Sequence, residues 1–290
     1  MDSGCTNGID TGFVALGYAK VAALGVVQGI TELMPISSTA HMRIVPALLG
    51  WPDPGSAFSA AMQLAALAAV ISYFWRDVRD LVFGSLSAIA RRDYYDRSFV
   101  LAVGIVIGTI PIGIAGLALA KTLNTCGSPL RSLVVVGLAC IVMALLLAIA
   151  EVAARHQRPF ERAGLLDCLV VGVAQVGALI PGVSRSGSSL TAALFLGFKR
   201  EEAARFSFLL GLPAIALAGL KELAELRHAG LDAHGWSVLI LGLVVASLSS
   251  FLAIWGLLRI LERFAAWPFV VYRAFLGAVL LAGVATGWLG

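Results

Sequence analysis

The stretch "GVVQGITELMPISSTAHM", residues 25–42, sets Gln28, Glu32, Ser37, Ser38, Thr39 and His41 in a chain that is 59% hydrophobic. Gln28 and Glu32 stand four apart, so they share one face of a helix. Ser37, Ser38 and Thr39 are favourable caps for the start of a second helix. One further turn carries the chain from Ser38 to His41, which brings a hydroxyl and an imidazole near each other. A second stretch, "PGVSRSGSS" at 181–189, opens another helix. There Gly182 and Gly187 allow close backbone approach. Ser184, Ser186, Ser188 and Ser189 offer hydroxyls, and Arg185 can grip two oxygens of an anion with its planar fork. Two helix starts facing one cavity each present free N–H groups and a positive dipole end. An anion suits them, and one with two phosphates suits two such cradles.

Each of these residues also has a bland account. Serine and threonine in membrane helices often bond only to backbone, and glycine-rich kinks often serve packing. Gln175 can simply bridge helices. Glu32 and Arg185 can pair with each other, which would leave His41 and the hydroxyl cluster without a purpose. Ionisable groups inside a bilayer are expensive and functional by default, which favours a working role for both. Arg273, a turn inside the last span, can be a buried pairing residue, and its role is open.

The elements that hold these residues must lie in a membrane. The chain has 290 residues and 13% charged residues, with a mean hydropathy of +0.92. Runs without Asp, Glu, Lys or Arg cover 57–75, 98–120, 132–150, 236–258 and 274–290, against the roughly 20 residues that a span requires. A sixth run, 168–184, ends in the polar motif. Such runs must be helical, because unpaired backbone groups in hydrocarbon cost several kcal/mol each. Asp2 and Asp10 precede Phe13 with no Lys or Arg, so the basic start of a signal peptide is lacking. Cys5, Cys126, Cys140 and Cys168 show no C-x-x-C spacing and read as small apolar packing residues.

Thirteen of the 21 Lys and Arg fall in four groups. These are Arg76, Arg79, Arg91, Arg92 and Arg97, then Arg155, Arg158 and Arg162, then Lys199, Arg200 and Arg205, and last Arg259 and Arg263. Alternate connections carry only Lys121, Arg131, Lys221 and Arg227. The positive-inside rule puts the four groups in the cytoplasm. A pI of about 9.0 is then a cytoplasmic rim and implies no nucleic acid. Residues 18–49 and 165–197 must each leave and return to one side, and Pro and polar residues interrupt both. Two re-entrant helix–loop–helix hairpins satisfy this.

The hairpins resemble each other at an offset of 147, pairing Gln28 with Gln175, Ser37 with Ser184, Ser38 with Arg185 and Thr39 with Ser186. "FSAAMQLAA" at 58–66 resembles "FSFLLGLPA" at 206–214. The expected architecture is therefore an all-α polytopic membrane protein of one domain, residues 1–290. It has six transmembrane helices, two hairpins and an inverted repeat, about 17–150 and about 165–290. Inverted repeats with broken helices commonly surround a binding site at the midplane.

"VVQGITELMPISSTAHM" resembles the first signature of the undecaprenyl-diphosphate phosphatases, the bacitracin-resistance protein family. That signature is Glu or Gln, three residues, Glu, then Pro-x-Ser-Ser-Thr-Gly-His. "PGVSRSGSS" resembles the second, Pro-Gly-x-Ser-Arg-Ser-Gly. "GTIPIGIAGL" at 108–117, "FSFLLGLPA" and "FVVYR" at 269–273 support it, so the likeness runs from about Gly17 to Arg273. Ala40 departs from the family's usual glycine, and Gln28 is an accepted variant that lowers the negative charge available to a metal.

The resemblance implies hydrolysis of undecaprenyl diphosphate to undecaprenyl phosphate and inorganic phosphate. That reaction recycles the lipid carrier of cell-wall synthesis and confers bacitracin resistance. It implies Glu32, Ser38, His41 and Arg185 as catalytic, and Ser37, Thr39, Ser184, Ser186 and Ser189 as phosphate-binding. It also implies a divalent cation, Mg²⁺ or Ca²⁺, at Glu32 and Gln28. The setting would be the bacterial inner membrane, with the site facing outward; a homodimer is left open. Ser38 would be the nucleophile if His41 or Glu32 takes its proton. Direct attack by His41 or by metal-bound water stays open. A transporter or flippase for a lipid phosphate is the rival, because it would use the same repeats and the same anion cradle.

Overall fold

A computed structural model of the chain describes residues 11–124, 130, 132–228 and 230–288. Asp2, Asp10, Cys5, Cys126 and Arg131 lie outside the described residues. The first half holds α1 (Phe13–Leu33), α2 (Ser38–Leu48), α3 (Ser56–Ala61), α4 (Gln63–Tyr73), α5 (Trp75–Arg91), α6 (Arg97–Asn124) and α7 (Leu133–Ala153). The second holds α8 (Leu165–Val176), α9 (Arg185–Phe195), α10 (Arg200–His228), α11 (Ala233–Phe264) and α12 (Trp267–Ala285).

Among the described residues six helices are long and apolar enough to cross a bilayer, α1, α6, α7, α10, α11 and α12, and the bent pair 57–73 and 75–91 makes a seventh span if it is counted as one. The run 57–75, expected as a span, is α3 and α4 and forms the first arm of that pair. At its end the chain bends by 81° between Tyr73 and Trp75. The cause is local: Phe74 leaves helical geometry, and Arg76, Asp77, Arg79 and Asp80 follow at once. Those charges cannot continue into hydrocarbon. α5 therefore runs off at an angle with Phe83 and Leu86 exposed beside its charges. α1 passes by length and composition, although its backbone leaves helical geometry at Gly17. The last helix starts earlier than its charge-free run, which encloses Arg273.

Both hairpins are present. α1 returns as α2 through a turn at Met34–Ser37, and α8 returns as α9 after a short 3-10 turn, Gly177–Leu179. Ser37 and Ser184, aligned in the sequence, share the same unusual backbone with φ of 72°. α1 packs on α11, α8 on α6, and α7 on α12. The first two contacts depend on missing side chains. A Cβ on Gly29 would stand 2.5 Å from the Ala246 carbonyl, and one on Gly172 would stand 2.1 Å from the Gly108 carbonyl. Small residues let membrane helices approach this closely. Cys140 and Cys168 are buried and free, as packing residues should be. Leu117, Val152 and Leu248 are exposed on α6, α7 and α11, where lipid would cover them.

At one end of the bundle the charges pair. Arg158 meets Asp167 at 2.8 Å, Arg205 grips Asp77, and Arg200 grips the buried Glu151. The other Glu151 oxygen accepts from the Ala266 amide at 3.2 Å, which fixes the corner where α12 begins.

Candidate active site

The two hairpin turns meet through Glu32. This carboxylate closes α1, with its side chain only 5% exposed. Its Oε1 takes Arg185 Nη2 at 2.5 Å. Its Oε2 accepts from Gln28 Nε2 at 2.9 Å and from Ser38 Oγ at 2.6 Å. The i,i+4 spacing of Gln28 and Glu32 is thus realised as a hydrogen bond, and the bland Glu32–Arg185 pair forms as well. The pair does not exhaust the carboxylate, because the second oxygen holds the Ser38 hydroxyl.

Ser38 opens α2 because Ser37 before it turns the chain with positive φ. Ser37 is buried, and its carbonyl, not its hydroxyl, is engaged: His41 Nδ1 donates to it at 2.8 Å. A carbonyl can only accept, so Nδ1 carries the proton. In the neutral ring Nε2 then accepts from the Tyr272 hydroxyl at 2.5 Å, with the two rings stacked 5.7 Å apart. Both nitrogens of His41 are committed away from Ser38, and the proton acceptor in contact with Ser38 is Glu32.

In the second hairpin Ser184 caps α9 and accepts from the Gly187 amide at 3.1 Å. Ser186 Oγ donates to the Glu32 and Met34 carbonyls, both at 3.1 Å, which ties α9 to the first turn. Ser189 and Ser188 turn back to the Arg185 carbonyl at 2.9 Å and 3.0 Å. Of the expected phosphate-binding hydroxyls, only Thr39 lines the open cavity, together with Ser38 and Gln28. Ser184, Ser186 and Ser189 hold the two turns in shape. Gln175 is buried, with no hydrogen bond to either amide atom among the described residues, so it does not bridge helices.

Arg273 resolves its open role. It is 1% exposed. It donates to the Pro35 carbonyl at 2.9 Å, to Gly182 at 2.7 Å and to Val183 at 3.0 Å. One guanidinium therefore clamps both hairpin turns. Gly182 makes this geometry accessible: its φ is 98°, and a Cβ there would meet the Val136 carbonyl at 2.7 Å. Sequence reasoning quoted Tyr272 within "FVVYR" and gave it no role, although it adjoins a charge inside an apolar helix, which was the signal available. The sequence reading also passed over Arg43, Asp53 and Gln63, which share the cavity wall. They stand outside both motifs.

Glu32 and Gln28 provide one carboxylate and one amide oxygen. Among the described residues no three His, Cys, Asp or Glu gather to hold a metal. So small a donor set would leave most of a divalent cation's shell to water and substrate phosphate.

Comparison with known proteins agrees with this geometry. A family model described as "Bacitracin resistance protein BacA" matches residues 21–279. The chain is 76% identical over 262 residues to "Undecaprenyl-diphosphatase 2" of Mesorhizobium japonicum, covering 90% of this chain and 99% of that one. It is 51% identical over 271 residues to "Undecaprenyl-diphosphatase" of Synechococcus elongatus, covering 93% and 94%. It is 50% identical over 274 residues to the protein of that name from Gloeobacter violaceus, covering 94% of each. With its polar hairpins joined through one carboxylate and its length matched almost end to end, the chain belongs to the bacitracin resistance protein BacA family.

Proposed function

We infer that the chain is an undecaprenyl-diphosphatase, a membrane hydrolase that releases inorganic phosphate from undecaprenyl diphosphate and leaves undecaprenyl phosphate. The observation that carries this reading is the Ser38 hydroxyl resting 2.6 Å from Glu32 Oε2 while Arg185 holds the other oxygen. A hydroxyl is a weak nucleophile at neutral pH and needs a base beside it. A carrier for lipid phosphates, the rival expectation, has no use for that contact.

The chemistry follows from these contacts. Ser38 Oγ attacks the terminal phosphorus as its proton passes to Glu32. The bond from that phosphorus to the bridging oxygen breaks, and undecaprenyl phosphate leaves with the bond's electrons. Arg185 neutralises charge on the non-bridging oxygens. Glu32 passes its proton to the leaving undecaprenyl phosphate, then acts again as base while water attacks the phosphoserine; that second proton returns to Ser38 Oγ as inorganic phosphate is freed. Glu32 and Gln28 would hold a divalent cation, which when bound would supply further charge neutralisation. His41, fixed by Ser37 and Tyr272, shapes the start of α2.

The same reading sets the protein in the bacterial inner membrane with the site toward the outer face, recycling the carrier lipid and conferring bacitracin resistance. The four basic groups support that orientation. An inverted repeat accompanies it. Support comes from the shared φ of Ser37 and Ser184, and from α1 packing on α11 as α8 packs on α6. The test is phosphate release from a long-chain prenyl diphosphate by the purified protein in detergent, with and without EDTA. No release under either condition refutes the enzyme reading; release unaffected by EDTA refutes the divalent-cation assignment.

A further inference from the structure

A cavity of about 200 Å³ runs from Ser38 to a wall that neither motif contains. Gln28, Ser38, Thr39, Arg43, Asp53 and Gln63 are among the residues that line it. It is smaller than the roughly 300–1,000 Å³ that drug-sized ligands occupy. A headgroup therefore fits it, and a long isoprenoid does not. Arg185 contacts Glu32 at 2.5 Å, at the reacting end of the site. Asp53 turns Oδ1 toward the Gly55 amide at 2.9 Å. Ser59 spends its hydroxyl on the Gly55 carbonyl at 3.1 Å. Gln63 begins α4, and Arg43 is one turn beyond Thr39 on α2.

We propose that Arg43 and Gln63 form a second phosphate seat, which holds the phosphate that stays on the lipid while Ser38 attacks the terminal one. A diphosphate presents two charged groups joined by one oxygen, and one cation at the reacting end leaves the other uncompensated. That second phosphate gains charge as the bridging bond breaks. A guanidinium fixed there stabilises the leaving group and donates to two of its oxygens. The amide of Gln63 adds a neutral donor from α4. Beyond Arg43, α2 ends in the exposed Leu48 and Leu49, an apolar edge over which the chain can pass into lipid.

The seat rests on the phosphatase reading, so the test uses two inorganic probes whose behaviour separates the two ideas. Inhibition of phosphate release by inorganic diphosphate and by inorganic phosphate is measured for the wild type, Arg43→Gln and Gln63→Leu. In the wild type diphosphate should inhibit more tightly than phosphate, because it fills both seats. Arg43→Gln should weaken diphosphate about ten- to hundredfold, the range for a lost charge-assisted contact, and shift phosphate less than twofold. Gln63→Leu should act in the same direction by less. Equal binding of the two probes by the wild type means one seat and overturns the proposal. So does a parallel loss of both probes in Arg43→Gln, which marks a structural role. Inactivity of the wild type on the lipid diphosphate would instead refute the phosphatase reading.

Discussion

Ser38 Oγ donates to Glu32 Oε2 across 2.6 Å, although six positions and the hairpin turn separate the two residues. Arg185, from the other hairpin, holds the second oxygen of the same carboxylate at 2.5 Å. The turn at Met34–Ser37 exists to fold the start of α2 back onto the end of α1, and Glu32 is where the hydroxyl and the guanidinium meet.

Glu32→Gln should therefore lower kcat by about 10²–10⁴-fold, the usual contribution of a positioned base. It also leaves Arg185 without its partner, and breaking a buried pair is destabilising by about 3–5 kcal/mol when both members are fully enclosed. Arg185 is 15% exposed, so the stability loss should be smaller. Phosphate release and thermal unfolding in detergent, measured together, separate the two effects. A Glu32→Gln enzyme that turns over at the wild-type rate would remove Glu32 from the chemistry.

Arg185→Lys should keep the fold and lose most turnover. Lysine supplies the charge but not a planar fork that can stay on Glu32 Oε1 and still present N–H groups to phosphate. The expected signature is a fall of about 10-fold or more in kcat/KM at unchanged unfolding temperature. Normal kcat/KM in that variant would make Arg185 a structural partner of Glu32 alone.

Much of this arrangement was legible in the sequence, for identifiable reasons. Gln28 and Glu32 share a face because helical periodicity leaves them no choice, and the breaks at Pro35 and Pro181 announced the hairpins. The uses of the serines were not legible. Ser186 and Ser189 look like phosphate ligands in a linear motif, but which carbonyls lie within 3.1 Å depends on how two distant hairpins dock. Tyr272 escaped because its partner, His41, is 231 positions away. The bend after Tyr73 was hidden for another reason: the run 57–75 is apolar enough to cross, and only the charges beyond it turn the chain aside.

Arg273→Met should unfold the site without touching substrate. The guanidinium serves three carbonyls on two turns, and each buried polar group left unsatisfied costs about 1–3 kcal/mol. A marked drop in unfolding temperature together with lost activity is expected. Arg273→Lys should recover little, since one ammonium cannot span Pro35 and Gly182 together. Wild-type stability in Arg273→Met would show that the turns hold themselves.

The orientation can be tested with cysteines at Gly12 and Ala233, expected to react with an impermeant thiol reagent added outside, and at Arg92, expected not to. Ala233 is preferable to its neighbour Gly235, where a Cβ would meet Leu231 at 2.4 Å. The four native cysteines are replaced first. Labelling at Arg92 in sealed cells would reverse the orientation and turn the site toward the cytoplasm.

The nucleophile remains the sharpest question, with Ser38, His41 and water as the contenders. His41 can attack only with an unshared ring nitrogen. Nδ1 donates to Ser37 at 2.8 Å, and Nε2 accepts from Tyr272 at 2.5 Å, so attack by His41 requires one of those bonds to break first. Ser38 needs no such rearrangement, because its proton already points at a carboxylate. A phosphoserine intermediate is therefore expected when the enzyme is quenched in acid during turnover of substrate labelled in its terminal phosphate. That label survives acid and is lost in alkali; a phosphohistidine behaves in the opposite way. Tyr272→Phe sharpens the test, since it frees Nε2. If Ser38 is the nucleophile, Tyr272→Phe should retain an acid-stable label. An acid-labile, alkali-stable label mapped to His41, increased by Tyr272→Phe, would transfer the role to the imidazole. Turnover that persists in Ser38→Ala with no label on the protein would assign the attack to water.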